Sequence, residues 1–212
     1  MIVGCTLKMR TSSEIITVSK RAAKASGFSW GVSEEIGKNI NLLEIFNLSG
    51  IENFNQYLKE KDSMNLETKF DIINLSSNDS SVCCPIFLGI HLLDNSDKIL
   101  DLKELKFNKL AYPLIFLPFI QRISYNIGKS INLNFDDIQL ELHLNNTLSI
   151  NKDLKGKIIK SAQTVTIRVR ENEDSFSSKV WDELYQLSTN TFVEENERLK
   201  SNAAGAGLVD ND

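Results

Sequence analysis

The sequence is short of the residues from which most recognisable chemistry is built. It has two histidines, His91 and His143, and three cysteines, Cys5, Cys83 and Cys84. An odd cysteine count without framework spacing excludes a secreted disulfide scaffold. There is no CxxC or HxxxH, and metal sites want several ligands at set spacings. No metal site is therefore expected, and no cofactor is specified. P-loop and HExxH motifs are missing, as is a GxGxxG that opens a helix. No apolar run approaches the ~18–20 residues of a membrane span. The longest, 110–120, is interrupted by Pro113 and Pro118. The first ten residues, MIVGCTLKMR, lack the apolar core of a signal peptide. Positive charge is not in excess either: 24 basic residues face 28 acidic ones, a net charge of −4. That argues against broad binding to nucleic acid or anionic membrane. A cytoplasmic protein is the expectation, and the wealth of Asn, Lys and Ile suggests a bacterial source.

What is present reads as an ordinary globular chain, 42% hydrophobic and 25% charged. The clearest signal is 11–47. Thr11 and Glu14 fit a capping box, and Ile15, Val18, Ala22 and Ala25 fall on one helical stripe. Gly27 suits a left-handed C-cap. A second helix is expected from about Ser33, with Glu34 and Glu35 in its first turn and Val32, Ile36, Ile40 and Leu43 as its apolar stripe. The helix-one alanines and Gly37 are small, so the helices can approach closely as an antiparallel hairpin. A third short helix is expected over 51–61, then a polar loop over 62–81 with one strand near 70–75.

The run VCCPIFLGIHLL, 82–93, is buried, and its pattern leaves strand against helix open. Pro118 is expected in the first turn of a helix ending at Ile127, with Gly128 as its cap. Beyond it the period changes to two. Ile131, Leu133 and Phe135, then Ile138, Leu140 and Leu142, then Leu148 and Ile150 alternate with polar residues, as do Val165, Ile167 and Val169. These are half-buried antiparallel strands. A last helix carries Val180, Leu184 and Leu187 on one stripe, with Trp181 beside it. The expected fold is α+β: an N-terminal helical hairpin, a central antiparallel sheet, a C-terminal helix and a Gly-rich tail. One domain, 1–212, is expected, with a helical part over 11–62, an α+β part over 82–202 and the tail 203–212.

Three blocks carry a resemblance: SKRAAKASGFSWGVSEEIGK at 19–38, CPIFLGIHLLD at 84–94 with PLIFLPF at 113–119, and AAGAGLVDND at 203–212. In that order they resemble an uncharacterised bacterial family, a domain of unknown function, over nearly the whole chain. The resemblance implies a self-contained cytoplasmic protein and transfers no catalytic residue. The first sixty or so residues, through NLSGIENFNQYL, also look like the start of the non-Rossmann malate/lactate/ureidoglycolate dehydrogenases. Where that family has Ser-His-Gly, this chain has Ser49-Gly50 with no His, which removes the support for that activity.

Two places are candidate ligand sites. In the turn ahead of helix two, Trp30 and Gly31 stand close to Glu34 and Glu35, an aromatic platform beside two carboxylates. In the tail, Gly205 and Gly207 allow close approach to another surface, and Asp210 and Asp212 gather carboxylates near the chain end. Cys83 and Cys84 read as small hydrophobes. His91 pairs with Asp94 as acid and base only if the chain turns there. The expected function is a small-molecule metabolic enzyme, or a ligand-binding subunit of one. The alternative is a non-enzymatic accessory subunit that binds a partner protein.

Overall fold

A computed structural model describes residues 10–71, 81–145, 147–171 and 174–191. The chain divides into two compact units, Met1–Asn172 and Glu173–Asp212. Among the described residues, seven α-helices and a seven-stranded sheet give the expected α+β class.

The first unit opens with α1, Ser12–Ala25. Thr11 caps it as the sequence predicts: its side chain accepts from the Glu14 N–H, and Glu14 reaches back to the Thr11 N–H at 2.9 Å. Such a cap contributes about 1 kcal/mol. Gly27 follows with φ of +96°. Helix α2, Trp30–Ile45, starts earlier than expected, because Ser29 and not Ser33 is its N-cap. Ser29 Oγ accepts from the Val32 N–H at 3.3 Å, while Ser33 is wholly buried and bonds back to the Ser29 carbonyl. The inward stripe of α1 is also rotated: Ser19 and Ala23 are buried and Val18 is exposed. The hairpin is tight because of Gly37. A Cβ there would lie 2.7 Å from the Ile16 carbonyl oxygen.

Helix α3, Gly50–Glu60, runs through a 3₁₀ turn to strand β1, Leu66–Glu67. The expected strand near 70–75 falls mostly outside the described residues; Phe70 and Asp71 are irregular. The apolar run splits the strand-or-helix ambiguity in two. Val82–Cys83 is β2, and Pro85, at the first helical position, begins α4, Pro85–Asp94. Helix α5, Ser96–Leu102, and strand β3, Glu104–Ala111, follow. Helix α6, Pro113–Ile127, begins at Pro113, so Pro118 lies inside it, contrary to the expectation. Then come β4 (Ile131–Phe135), β5 (Ile138–Leu142), β6 (Leu148–Ile150) and β7 (Ser161–Val169).

The strand order is β1-β2-β3-β7-β4-β5-β6. Pairings β1–β2 and β2–β3 are parallel and the rest antiparallel, so the sheet is mixed at one edge. Asp136 makes the β4–β5 turn with φ of +51°, and its carboxylate accepts from the Gln163 and Thr164 N–H groups. One sheet face supplies Leu105, Phe107, Ile131, Leu133, Phe135, Val165 and Ile167 to the core. The other carries charge, including Arg168–Glu104 and Arg170–Glu141 pairs.

Helix α6 is the hub. Residues Pro113 to Ser124 are buried except Arg122, and the helix packs against α2, α3, α4 and α5 on one side and β4 and β5 on the other. Gly89 of α4 meets it so closely that a Cβ would sit 2.3 Å from the Phe119 ring.

The second unit contributes α7, Ser178–Thr189, capped by Ser177. Phe176 stacks on Trp181 with ring centroids 5.5 Å apart. Val180, Trp181, Leu184, Tyr185 and Leu187 are all exposed. No helix among the described residues is long and apolar enough to cross a membrane.

Candidate functional site

Helices α2, α4 and α6 enclose a pocket of about 230 Å³ lined by Gly31, Val32, Glu35, Ile90, Leu93, Asp94 and Arg122. Its walls follow from helical spacing. Gly31, Val32 and Glu35 come from the first turns of α2. Ile90, Leu93 and Asp94 stand at i, i+3 and i+4 on α4 and so share a face. Arg122 is the one charged residue of α6 and reaches from it to Glu35.

The electrostatics are uneven. Partial burial raises the Glu35 pKa, but the Arg122 guanidinium and Lys38 outweigh it and hold the carboxyl below the usual range. Lys38 lies 3.3 Å from Glu35 and 3.6 Å from Glu34, and Lys20 lies 3.3 Å from Glu34. A chain of alternating charges thus links α1, α2 and α6. Asp94 belongs to no such chain. It is the last residue of α4, exposed at the pocket rim, and no described residue pairs with its carboxylate.

The structure therefore brings Gly31 and Glu35 into one pocket. It leaves Trp30 and Glu34 out of the lining. Trp30 is 58% exposed, with the Lys20 and Lys24 ammonium groups 5.9 and 5.5 Å from its ring centroid. Gly205, Gly207, Asp210 and Asp212 lie outside the described residues. Asp94, Arg122, Ile90 and Leu93 escaped the sequence reading as pocket residues. One signal for Arg122 was there: a lone charge inside the apolar stretch 110–124 needs a partner.

Three other clusters resemble chemistry. Cys83 and Cys84 are both buried. Burial, with Glu67 nearby, pushes the Cys83 thiol up to about 11, and burial raises Cys84 despite the Phe87 N–H and the Tyr57 hydroxyl beside it. Thiols so raised are poor nucleophiles. His91 and Asp94 lie three residues apart on α4, with no hydrogen bond between them, and His91 Nε2 is buried without a partner. His143 Nε2 is 3.3 Å from Ser149 Oγ, and His143 Nδ1 is 4.0 Å from Glu141. Glu141 is committed to Arg170, and Ser149 is exposed on a cross-strand position. That arrangement is a polar sheet surface, since the longer distance is no hydrogen bond.

The most connected polar cluster surrounds Glu60 at the end of α3. Glu60 accepts from Tyr112 Oη at 2.6 Å, from Gln56 and from Lys160. Those hydrogen bonds, with Lys160 first, hold its carboxyl down at about 2. Tyr112 is buried, adopts φ of +41°, and meets Tyr57 edge-on at 5.6 Å. Tyr57 in turn contacts Cys84 Sγ at 3.3 Å.

The family model described as "Protein of unknown function (DUF3726)" matches residues 10–82. That is roughly a third of the chain, and it contains the α2 wall of the pocket but not the α4 and α6 walls. No curated protein and no solved structure matches the chain.

Proposed function

We propose that this chain binds a small molecule in the pocket between α2, α4 and α6, as a metabolic enzyme or as the ligand-binding subunit of one. The observation that carries this is the pocket's composition. An ion pair and an unpaired carboxylate stand against an apolar wall of Val32, Ile90 and Leu93. Ligand sites combine such a wall with a few placed polar groups. Drug-sized ligands occupy roughly 300–1,000 Å³, so about 230 Å³ suits a smaller metabolite and is too small for a dinucleotide. The acidic composition supports a cytoplasmic setting, and the family match over residues 10–82 covers the α2 wall of the pocket.

A thermal-shift screen of metabolites tests the reading. At least one compound raises the melting temperature of the full chain, and Arg122→Ala abolishes that rise. A screen in which no compound shifts the melting temperature contradicts it. The second reading, an accessory subunit, is favoured by the exposed apolar residues of α7. Light scattering that shows self-association, lost in Leu184→Glu, supports that reading.

A further inference from the structure

We propose that the ligand is a small zwitterion of the amino-acid type, with a carboxylate and an ammonium on a short scaffold bearing an apolar substituent. This rests on the reading of the α2–α4–α6 pocket as a ligand site and adds the chemistry of what it takes.

The pocket has an end suited to an anion. Arg122 is bound to Glu35 through Nη1, and its side chain keeps 38% of its surface exposed. A guanidinium has five N–H donors in a fixed fork, so donors remain for a second carboxylate. Gly31, which lines the same pocket, is in the first turn of α2, where backbone N–H groups have no intrahelical acceptor. Ser29 satisfies the Val32 N–H but not that of Gly31. Helix pole and guanidinium therefore act together, each favouring negative charge.

A second lining residue, Asp94, suits a cation. Asp94 closes α4, at the helix pole that disfavours negative charge. It does not cap the helix either. The Asn95 N–H takes the Leu92 carbonyl, the Asn95 side chain takes that of His91 at 2.8 Å, and Ser96 Oγ takes that of Leu93 at 2.8 Å. With the last helix carbonyls satisfied by Asn95 and Ser96 and no described cation paired to it, the Asp94 carboxylate does not hold the helix end together. A ligand ammonium would find both the carboxylate and the negative helix pole.

Val32, Ile90 and Leu93 line the same pocket and accept an apolar substituent. Selectivity follows from the charges. A simple carboxylic acid would meet Arg122 but leave Asp94 unpaired close by. A simple amine would meet Asp94 but leave the spare Arg122 donors unused. Only a molecule with both groups is complementary to both Arg122 and Asp94.

The experiment is calorimetric titration of the full chain with L-leucine, isoamylamine and isocaproate, then with L-phenylalanine and its two counterparts. The amino acid binds, and each half-molecule binds at least tenfold more weakly. Asp94→Asn lowers affinity for the amino acid at least tenfold without weakening its binding of the acid or lowering its melting temperature. Equal binding of acid and amino acid overturns the zwitterion inference, as does unchanged affinity in Asp94→Asn. If neither series binds but another metabolite does, and Arg122→Ala removes that binding, the inference fails while the pocket stands. If nothing in a broad metabolite screen binds, both fail.

Discussion

Two polar clusters in the first unit have similar ingredients and opposite states. Around Glu60, one carboxylate meets a lysine, a tyrosine and a glutamine, and every group named finds its partner inside the protein. Around the α2–α4–α6 pocket, Glu35 and Arg122 pair, yet among the described residues Asp94 has no partner and Arg122 has donors to spare. The Glu60 cluster is closed. It ties the end of α3 to Lys160 and to Tyr112, whose left-handed backbone at the start of α6 costs roughly 1–3 kcal/mol and must be held by its surroundings. The pocket cluster is open, and its unmet groups point to something outside the chain. Groups satisfied at home serve the fold; groups left unsatisfied at a cavity are available to a ligand.

The largest expected effect comes from breaking the closed cluster. Tyr112→Ala removes a fully buried ring and its hydroxyl, at a cost of about 3–5 kcal/mol. For a domain of this size that is a fall in melting temperature of roughly 6–20 °C, with ligand affinity in the pocket unchanged in protein that remains folded. Next is Gly89→Ala. Its Cβ would strike the ring of Phe119, which is itself wholly buried and cannot step aside. Overpacking of that kind costs about 1–3 kcal/mol, read by urea denaturation.

The pocket responds the other way round. Arg122→Ala breaks a partly exposed ion pair, worth about 1 kcal/mol or less, yet abolishes ligand binding in the thermal-shift screen. Glu35→Gln sharpens the contrast: freed from its partner, Arg122 holds a carboxylate ligand more tightly. The smallest effect is on pH dependence. Glu60 has a folded-state pKa of about 2, below its ordinary value near 4.3. Its contribution is therefore complete above pH 4.3 and is lost as pH falls toward 2. A pH series of melting curves shows a loss in that window that Glu60→Gln flattens.

Much of this architecture can be read from the residues. Thr11 and Glu14 announce α1, and the period-two runs from Ile131 and from Val165 announce the antiparallel half of the sheet. The parallel edge cannot be read so easily. Strands β1 and β2 span two residues each, too few to show a period. Strand β3 carries alternation only at Leu105 and Phe107, which breaks at Lys109, where φ is +53°. Helix α2 was displaced because Ser29 and Ser33 both suit an N-cap, and burial of Ser33 decides between them. The prolines of α6 posed the same choice, and Pro113 at the helix start leaves Pro118 inside. In the pocket, Gly31 and Glu35 were legible from their local turn. Arg122 is 87 residues from Glu35 in sequence, and only the packing of α2 on α6 brings them together.

Methyl-resolved NMR of the full chain, titrated with L-leucine, puts the contrast between open and closed clusters to its most direct test. The account predicts saturable shifts at the methyl groups of Val32, Ile90 and Leu93, and none at Ile159, the chain neighbour of Lys160 in the closed cluster. Shifts confined to Ile159, or no saturable shift at the pocket methyls with leucine or any metabolite tried after it, would contradict it.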